Sequence, residues 1–247
     1  MRRVALVGLL TVFLLRPAPA AADTLTFDWS TSLGSGNWLS LNLQDGRGFI
    51  TGWAGEIKWT TSGGKLFESY CADLFDDATI PTENGTFGTT ANLDAGTFTA
   101  LHAGPNAGAR AAYLVNTYGA AADGNNDLAA GLQIAIWEAM YGGPLTYTAT
   151  NLWTNSLWQV QQSISSTIMA AANTYYTGLT SANPTVVLAS SARYFDTVGS
   201  GQDQIGVPEP TTLLLMLFAM AGMLTYQYRL KRNTAEATVA VATFFRR

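Results

Sequence analysis

The apolar run Leu213–Leu224, preceded by Val207-Pro208-Glu209-Pro210 and closed by Arg229, Lys231 and Arg232, decides how much of this chain can fold as a water-soluble body. Counted on to Tyr228 it makes a helix of roughly 24 Å against a hydrocarbon core of about 30 Å, a short span whose Tyr226 and Tyr228 suit the headgroup level. The three cations hold the cytoplasmic side, so the rest of the chain is expected outside. Pro208 and Pro210 fix φ and remove donors, so Val207–Pro210 is predicted extended and exposed, as a processing enzyme requires of its recognition site. At the other end, Arg2 and Arg3, the apolar Val4–Leu15 and the small Ala20-Ala21-Ala22 read as a signal peptide over 1–22, cut before Asp23, with Arg16 as an atypical late cation.

Residues 23–206 remain, roughly 180 residues, enough for one domain or a tightly joined pair. They hold five Lys and Arg against fifteen Asp and Glu, a balance of −10, whereas the whole chain reads −4. An acidic body argues against nucleic acid, whose affinity rests on cations neutralising phosphates. Few charges among many Thr, Ser, Asn, Gly and aromatics suit an extracellular, β-rich surface.

LTFDW, WLSLNL, RGFITGWAG and EIKWTT, from Leu25 on, alternate apolar and polar residues between Gly, Ser and Asn turns, which predicts short antiparallel strands. Thr79–Asn92 reads as a polar loop. The period then changes. Ala109–Tyr118 and Leu128–Tyr141 read as helices, the second capped by Asn126 or Asp127, carrying an apolar stripe of Leu132, Ala135, Ile136 and Ala139, and stopped by Gly142-Gly143-Pro144. A third helix is predicted over Asn155–Thr177, with strands at Thr185–Leu188 and Ala192–Phe195. The fold class is α+β: antiparallel strands with an inserted helical portion, plus the N-terminal signal and one C-terminal membrane helix.

Pro208-Glu209-Pro210, an apolar helix at about 211–228 and Arg229-Leu230-Lys231-Arg232 together closely resemble the PEP-CTERM sorting signal, here 207–233. The resemblance implies an exosortase-type membrane protease as partner. It also implies export across the inner membrane of a Gram-negative bacterium, a membrane-anchored precursor, and a final place at the cell surface or in an exopolysaccharide matrix. Residues 234–247 continue past the point where that family usually stops. An ordinary C-terminal anchor predicts the same orientation without cleavage.

Cys71 is the sole cysteine. Free cysteines are often buried fillers, and an unpaired thiol in an exported chain calls for a reason. Tyr70-Cys71-Ala72, Leu132-Gln133-Ile134-Ala135-Ile136-Trp137 and Gly201-Gln202-Asp203-Gln204-Ile205-Gly206, taken in that order, resemble the thioester domains of bacterial surface adhesins. The likeness begins at about residue 66. Leu132 stands where that family usually has Thr, and Gly201 where it has an apolar residue. The resemblance implies a Cys71–Gln202 thioester, with Gln204 and then Gln133 as alternative acyl partners. Gln133 would bridge backbone groups, and Tyr70 and Trp137 would exclude water, which hydrolyses an exposed thioester. Such a bond would join the protein covalently to amines on a surface. A plain amphipathic helix and a linker are the bland readings of the second and third stretches.

Other chemistry is thin. A Cys–His pair would need His102, the lone histidine, and nothing in the sequence brings it to Cys71. Asp123-Gly124-Asn125-Asn126-Asp127 has oxygens at alternate positions, but Ile134 stands where a calcium loop needs Glu, so it reads as a turn and helix cap, and no metal or cofactor is expected. Asp73, Asp76 and Asp77 read as a solvated acidic loop. Trp29, Trp38, Trp53 and Trp59 read as core or as a carbohydrate-binding face. No acid, base and nucleophile set appears by motif, so the expected function is non-enzymatic, with extracellular polysaccharide or surface amines as partners. A secreted glycan-binding module is the rival reading, and a hydrolase a more distant one.

Overall fold

The computed structural model describes residues 22–43, 48–78, 80–89, 106–141, 146–147, 152–154, 158–161, 164–182, 192–197 and 201–208. All lie in the first of two chain units, Met1–Pro208 and Glu209–Arg247. The signal peptide up to residue 21, His102, the sorting-signal residues Glu209, Pro210, Arg229, Lys231 and Arg232, the helix at about 211–228 and the extension 234–247 lie outside the described residues. Among the described residues no helix is long and apolar enough to cross a membrane.

The strands are β1 (Ala22–Thr26), β2 (Leu33–Leu43), β3 (Gly48–Thr61), β4 (Leu66–Cys71), β5 (Thr82–Thr89), β6 (Thr146–Tyr147), β7 (Leu152–Thr154), β8 (Trp158–Gln161), β9 (Arg193–Thr197) and β10 (Gln204–Pro208). They form one antiparallel sheet in the order β1-β5-β9-β10-β4-β3-β2-β8-β7-β6, and β1 also pairs with β3. That extra pairing closes the first six strands of this order into a barrel. The remaining strands extend from β3 as a wing.

RGFITGWAG and EIKWTT form one continuous strand, β3, that serves both parts. Gly48–Gly55 pairs with β2 in the wing, and Ile57–Thr60 pairs with β4 in the barrel. The register against β2 shifts between Leu33 and Gly36, opposite Ile57 and Gly55. Gly55 has a φ of 151° that suits glycine, and a Cβ there would stand 2.3 Å from the Ser35 carbonyl oxygen. WLSLNL behaves as its alternation predicts: Leu39, Leu41 and Leu43 are buried, and the residues between them are not.

The helices are α1 (Ala107–Ala122), α2 (Asn126–Tyr141) and α3 (Ser166–Ala182). The α2 helix packs on β2 and β3 on one side and on α1 and α3 on the others. Its apolar character is therefore not a stripe: every residue from Ala129 to Tyr141 is buried. Gly131 permits the close α2–α3 approach, since a Cβ there would stand 2.6 Å from that of Ala171. Two apolar cores result. One, between helices and sheet, includes Leu41, Leu114, Ile136 and Trp158. The other fills the barrel with Leu25, Phe27, Ile57, Trp59, Phe67 and Phe195.

Several sequence expectations change. Thr79–Asn92 is not a loop throughout, because Thr82–Thr89 is β5, seated between β1 and β9. The stretch predicted as one helix over Asn155–Thr177 contains strand β8, which pairs with β2, before α3 starts at Ser166. Its apolar residues Trp158 and Val160 alternate, and a two-residue period suits the wing. The cap of α2 is Asn125, whose Oδ1 accepts from the amides of Asp127 and Leu128, one residue before the expected position. Asn126 and Asp127 instead tie α2 to β2 through the amide of Gly36 and the side chain of Asn37. The strand expected at Ala192–Phe195 is β9, and Thr185–Leu188 lies outside the described residues. Strand β10 carries the ladder to Pro208, opposite Phe67, two residues into the stretch read as the sorting signal.

Candidate functional site

The site is built on the last residues of β4. Phe67, Ser69 and Cys71 alternate along one face of that strand. Phe67 packs in the barrel core, whereas Cys71, at the strand's end, joins the helix-side core. The ladder to β10 sets Gln204 opposite Cys71. On its other edge β4 pairs with β3 only as far as Ile57 opposite Ser69. Two residues further on, Cys71 therefore has main-chain groups on that edge with no strand to meet them. Gln133 of α2 replaces the strand. Its Oε1 accepts from the Cys71 amide at 2.9 Å and its Nε2 donates to the Cys71 carbonyl at 2.7 Å. Its side chain is fully buried.

The Cys71 thiol is buried and donates to the Asp73 carbonyl oxygen at 2.6 Å. The Gln202 carboxamide reaches the same oxygen, with Nε2 at 3.1 Å, and makes a second bond of 3.1 Å to the Asp76 carbonyl. Sulfur and carboxamide thus share one acceptor. Gln204 completes the group. Its Nε2 donates to Gln202 Oε1 at 3.2 Å, and its own Oε1 accepts from Ser69 Oγ at 2.9 Å. Gln202 is held through its backbone as well, since its amide donates to Glu83 Oε1 on β5 at 3.1 Å. The neighbouring Asp203 accepts from the Tyr194 hydroxyl and from Thr197, while its carbonyl accepts from the Ala72 amide.

Burial, then the nearby Asp73 charge, pushes the Cys71 thiol well above its ordinary value, so the resting group is a thiol. The Trp137 indole N–H makes no hydrogen bond of standard geometry, yet it lies near enough to the sulfur to oppose that shift partly. Trp137 is itself backed edge-on by Trp158, with ring centroids 5.7 Å apart. Tyr70 belongs to the other face of β4 and packs in the helix-side core, its hydroxyl buried.

Asp73 corrects the reading of a solvated acidic loop. It is 1% exposed, and burial pushes its carboxyl up to about 8. Its Oδ1 accepts from the amides of Phe75 and Asp76 and from the Tyr141 hydroxyl, while Oδ2 is buried without a hydrogen-bond partner. Asp76 and Asp77, by contrast, reach solvent. Sequence reasoning missed Asp73, Tyr141, Asp203 and Glu83 as parts of this site. Only adjacency to Cys71 and Gln202 marked Asp73 and Asp203, and nothing marked the other two.

Gln202 and Trp137 also line a cavity of about 240 Å³, together with Trp29, Trp38 and Trp53. Cys71 is not among its lining residues. Among the described residues no cluster of side chains is arranged to hold a metal ion.

No protein-family model matches the chain, and no curated protein matches it. Among solved structures, the N-terminal domain of the Streptococcus pyogenes pilus tip adhesin Cpa overlays on 72% of this chain and 97% of that one, at a TM-score of 0.41 and 11% identity, a loose likeness.

Proposed function

We propose that this chain is an exported surface protein whose body forms an internal Cys71–Gln202 thioester and uses it to attach covalently to amines. The observation that carries this reading is the convergence of the Cys71 thiol and the Gln202 carboxamide on the Asp73 carbonyl oxygen. In this reading the sulfur attacks Gln202 Cδ, the C–N bond breaks, and the thiol proton leaves with the nitrogen as ammonia. Gln204 Nε2 already donates to the oxygen on which negative charge would develop. The Asp73 carboxyl, held mostly protonated at neutral pH by its burial yet titrating at about 8, is suited to exchange a proton as the sulfur loses one and the departing nitrogen gains one. Of the three glutamines, Gln133 is spent on the Cys71 backbone, and Gln202 is the one whose carboxamide shares an acceptor with the sulfur, which favours Gln202 as the acyl donor. Burial of the sulfur slows hydrolysis.

Export and sorting complete the proposal. The N-terminal segment directs secretion, and the segment from Val207 presents Pro208-Glu209-Pro210 to an exosortase-type protease before release to the surface or matrix. Intact-mass spectrometry of the purified full chain tests the thioester. A mass one ammonia below that of the sequence, restored in Cys71→Ala, supports it. Full mass with a titratable thiol rejects it. Replacing Pro208-Glu209-Pro210 by alanines should leave an uncleaved precursor in the inner membrane, and normal release would reject the sorting signal.

A further inference from the structure

We propose that the aromatic cavity beside Gln202 is a subsite for an amino sugar carrying a free primary amine, which rests on the thioester reading and names its substrate class. The cavity, about 240 Å³, is smaller than the roughly 300–1,000 Å³ of sites for drug-sized ligands and suits a single ring. Two edge-to-face aromatic pairs belong to its lining, Phe27–Trp29 with centroids 5.0 Å apart and Trp38–Trp53 at 5.5 Å. Trp29 is 62% and Trp38 54% exposed, although Trp is a residue whose burial strongly favours folding. Exposed indoles can stack against the C–H faces of a pyranose and attract a cation. Asp76 and Asp77 line the same space and supply the complementary charge. They repel acidic sugars and leave an acetylated amine without a partner.

The placement of the reacting atoms fits. Gln202 lines the cavity and Cys71 does not, so an occupant comes against Gln202 and not against the cysteine. The amine nitrogen would attack Gln202 Cδ, the C–S bond would break, and the thiolate would take the proton the amine loses, giving a secondary amide and a free Cys71 thiol. Only a neutral amine can attack. An alkyl amine such as lysine, with a pKa of about 10.4, is almost wholly protonated at neutral pH, and a pair of carboxylates holds it more firmly so. The oxygens beside the amine of an amino sugar withdraw electrons and lower its basicity, so a larger share remains nucleophilic in the same acidic pocket. This separates an amino sugar from a protein lysine as the occupant.

The test uses the purified full chain with three probes: a chitosan oligosaccharide, the N-acetylated oligosaccharide of equal length, and cadaverine. Adducts are read by intact mass, and non-covalent binding by tryptophan fluorescence on Cys71→Ala. Chitosan should give an adduct about tenfold faster than cadaverine, with none from the acetylated form. Trp38→Ala and the double variant Asp76→Asn, Asp77→Asn should each weaken chitosan binding about tenfold, with partial rescue by Trp38→Tyr. Equal rates for chitosan and cadaverine, or unchanged binding in both variants, would overturn the proposal. A chain of full mass whose Cys71→Ala form still binds chitosan through Trp38 and the two carboxylates would sink the thioester and keep the sugar site. A chain lacking one ammonia that reacts with cadaverine while ignoring chitosan would do the reverse.

Discussion

Replacing Gln133 by Leu removes the clamp on Cys71 while keeping side-chain bulk. The two lost bonds, 2.9 Å to the Cys71 amide and 2.7 Å to its carbonyl, are made by a fully buried side chain. The β3 ladder has ended at Ile57, so no strand takes them over. Each orphaned buried group costs about 1–3 kcal/mol, giving roughly 2–6 kcal/mol for the pair. Leucine gains apolar burial, which offsets about 1–2 kcal/mol of this. The net expectation is a loss of up to about 5 kcal/mol, centred on roughly 2–3 kcal/mol, a large share of the roughly 5–15 kcal/mol typical of a domain. Urea denaturation of the full chain measures it as a lower midpoint at unchanged slope. The positioning role adds a second readout. With Cys71 free to shift, the fraction of chain lacking one ammonia should fall even under conditions where the variant is fully folded. A variant as stable as the parent and equally converted would refute the reasoning that a glutamine side chain stands in for the missing strand.

Asp73→Asn should flatten part of the pH dependence of stability. The folded carboxyl titrates near 8 against an ordinary 3.8, so the native state holds its proton more tightly. Stability from this group is intact below about 4 and falls as pH rises towards 8, by several kcal/mol at most. Asp203, Glu56 and Asp196 are shifted the same way, so thermal melts of the variant between pH 5 and 8 should keep a reduced slope; an unchanged slope would count against it. Gly131→Ala sets two effects against each other: alanine improves helix propensity by about 1 kcal/mol, while its Cβ would meet Ala171 at 2.6 Å. Overpacking of about 1–3 kcal/mol should win and lower the melting temperature, and a more stable variant would show that the helices can part freely. Trp59→Ala should cost about 3–5 kcal/mol, because Trp59 is fully buried inside the barrel; a loss under 1 kcal/mol would show that the barrel core is not a load on stability.

The sequence alone determined the features that depend on local pattern. Alternation in WLSLNL placed the buried leucines of β2, and apolar periodicity located α1 and α2 within two residues at their starts, because side-chain direction follows from backbone period. The stretches singled out around Cys71, Gln133 and Gln202 contain groups that the fold brings together near the end of β4, whereas Tyr70 packs on the other face of that strand. Only tertiary structure decided what joins them. β8 lies inside a stretch that reads as helix because β2 offers it an open edge, and propensity yields to that pairing. β5 looks like a loop by composition, yet β1 and β9 hold it on both sides. Asp73 and Asp203 look like surface acids, since an aspartate carries no local sign of burial. Their desolvation and their partners Tyr141, Tyr194 and Thr197 arise from elements far away in the chain, and distance in sequence does not encode distance in space.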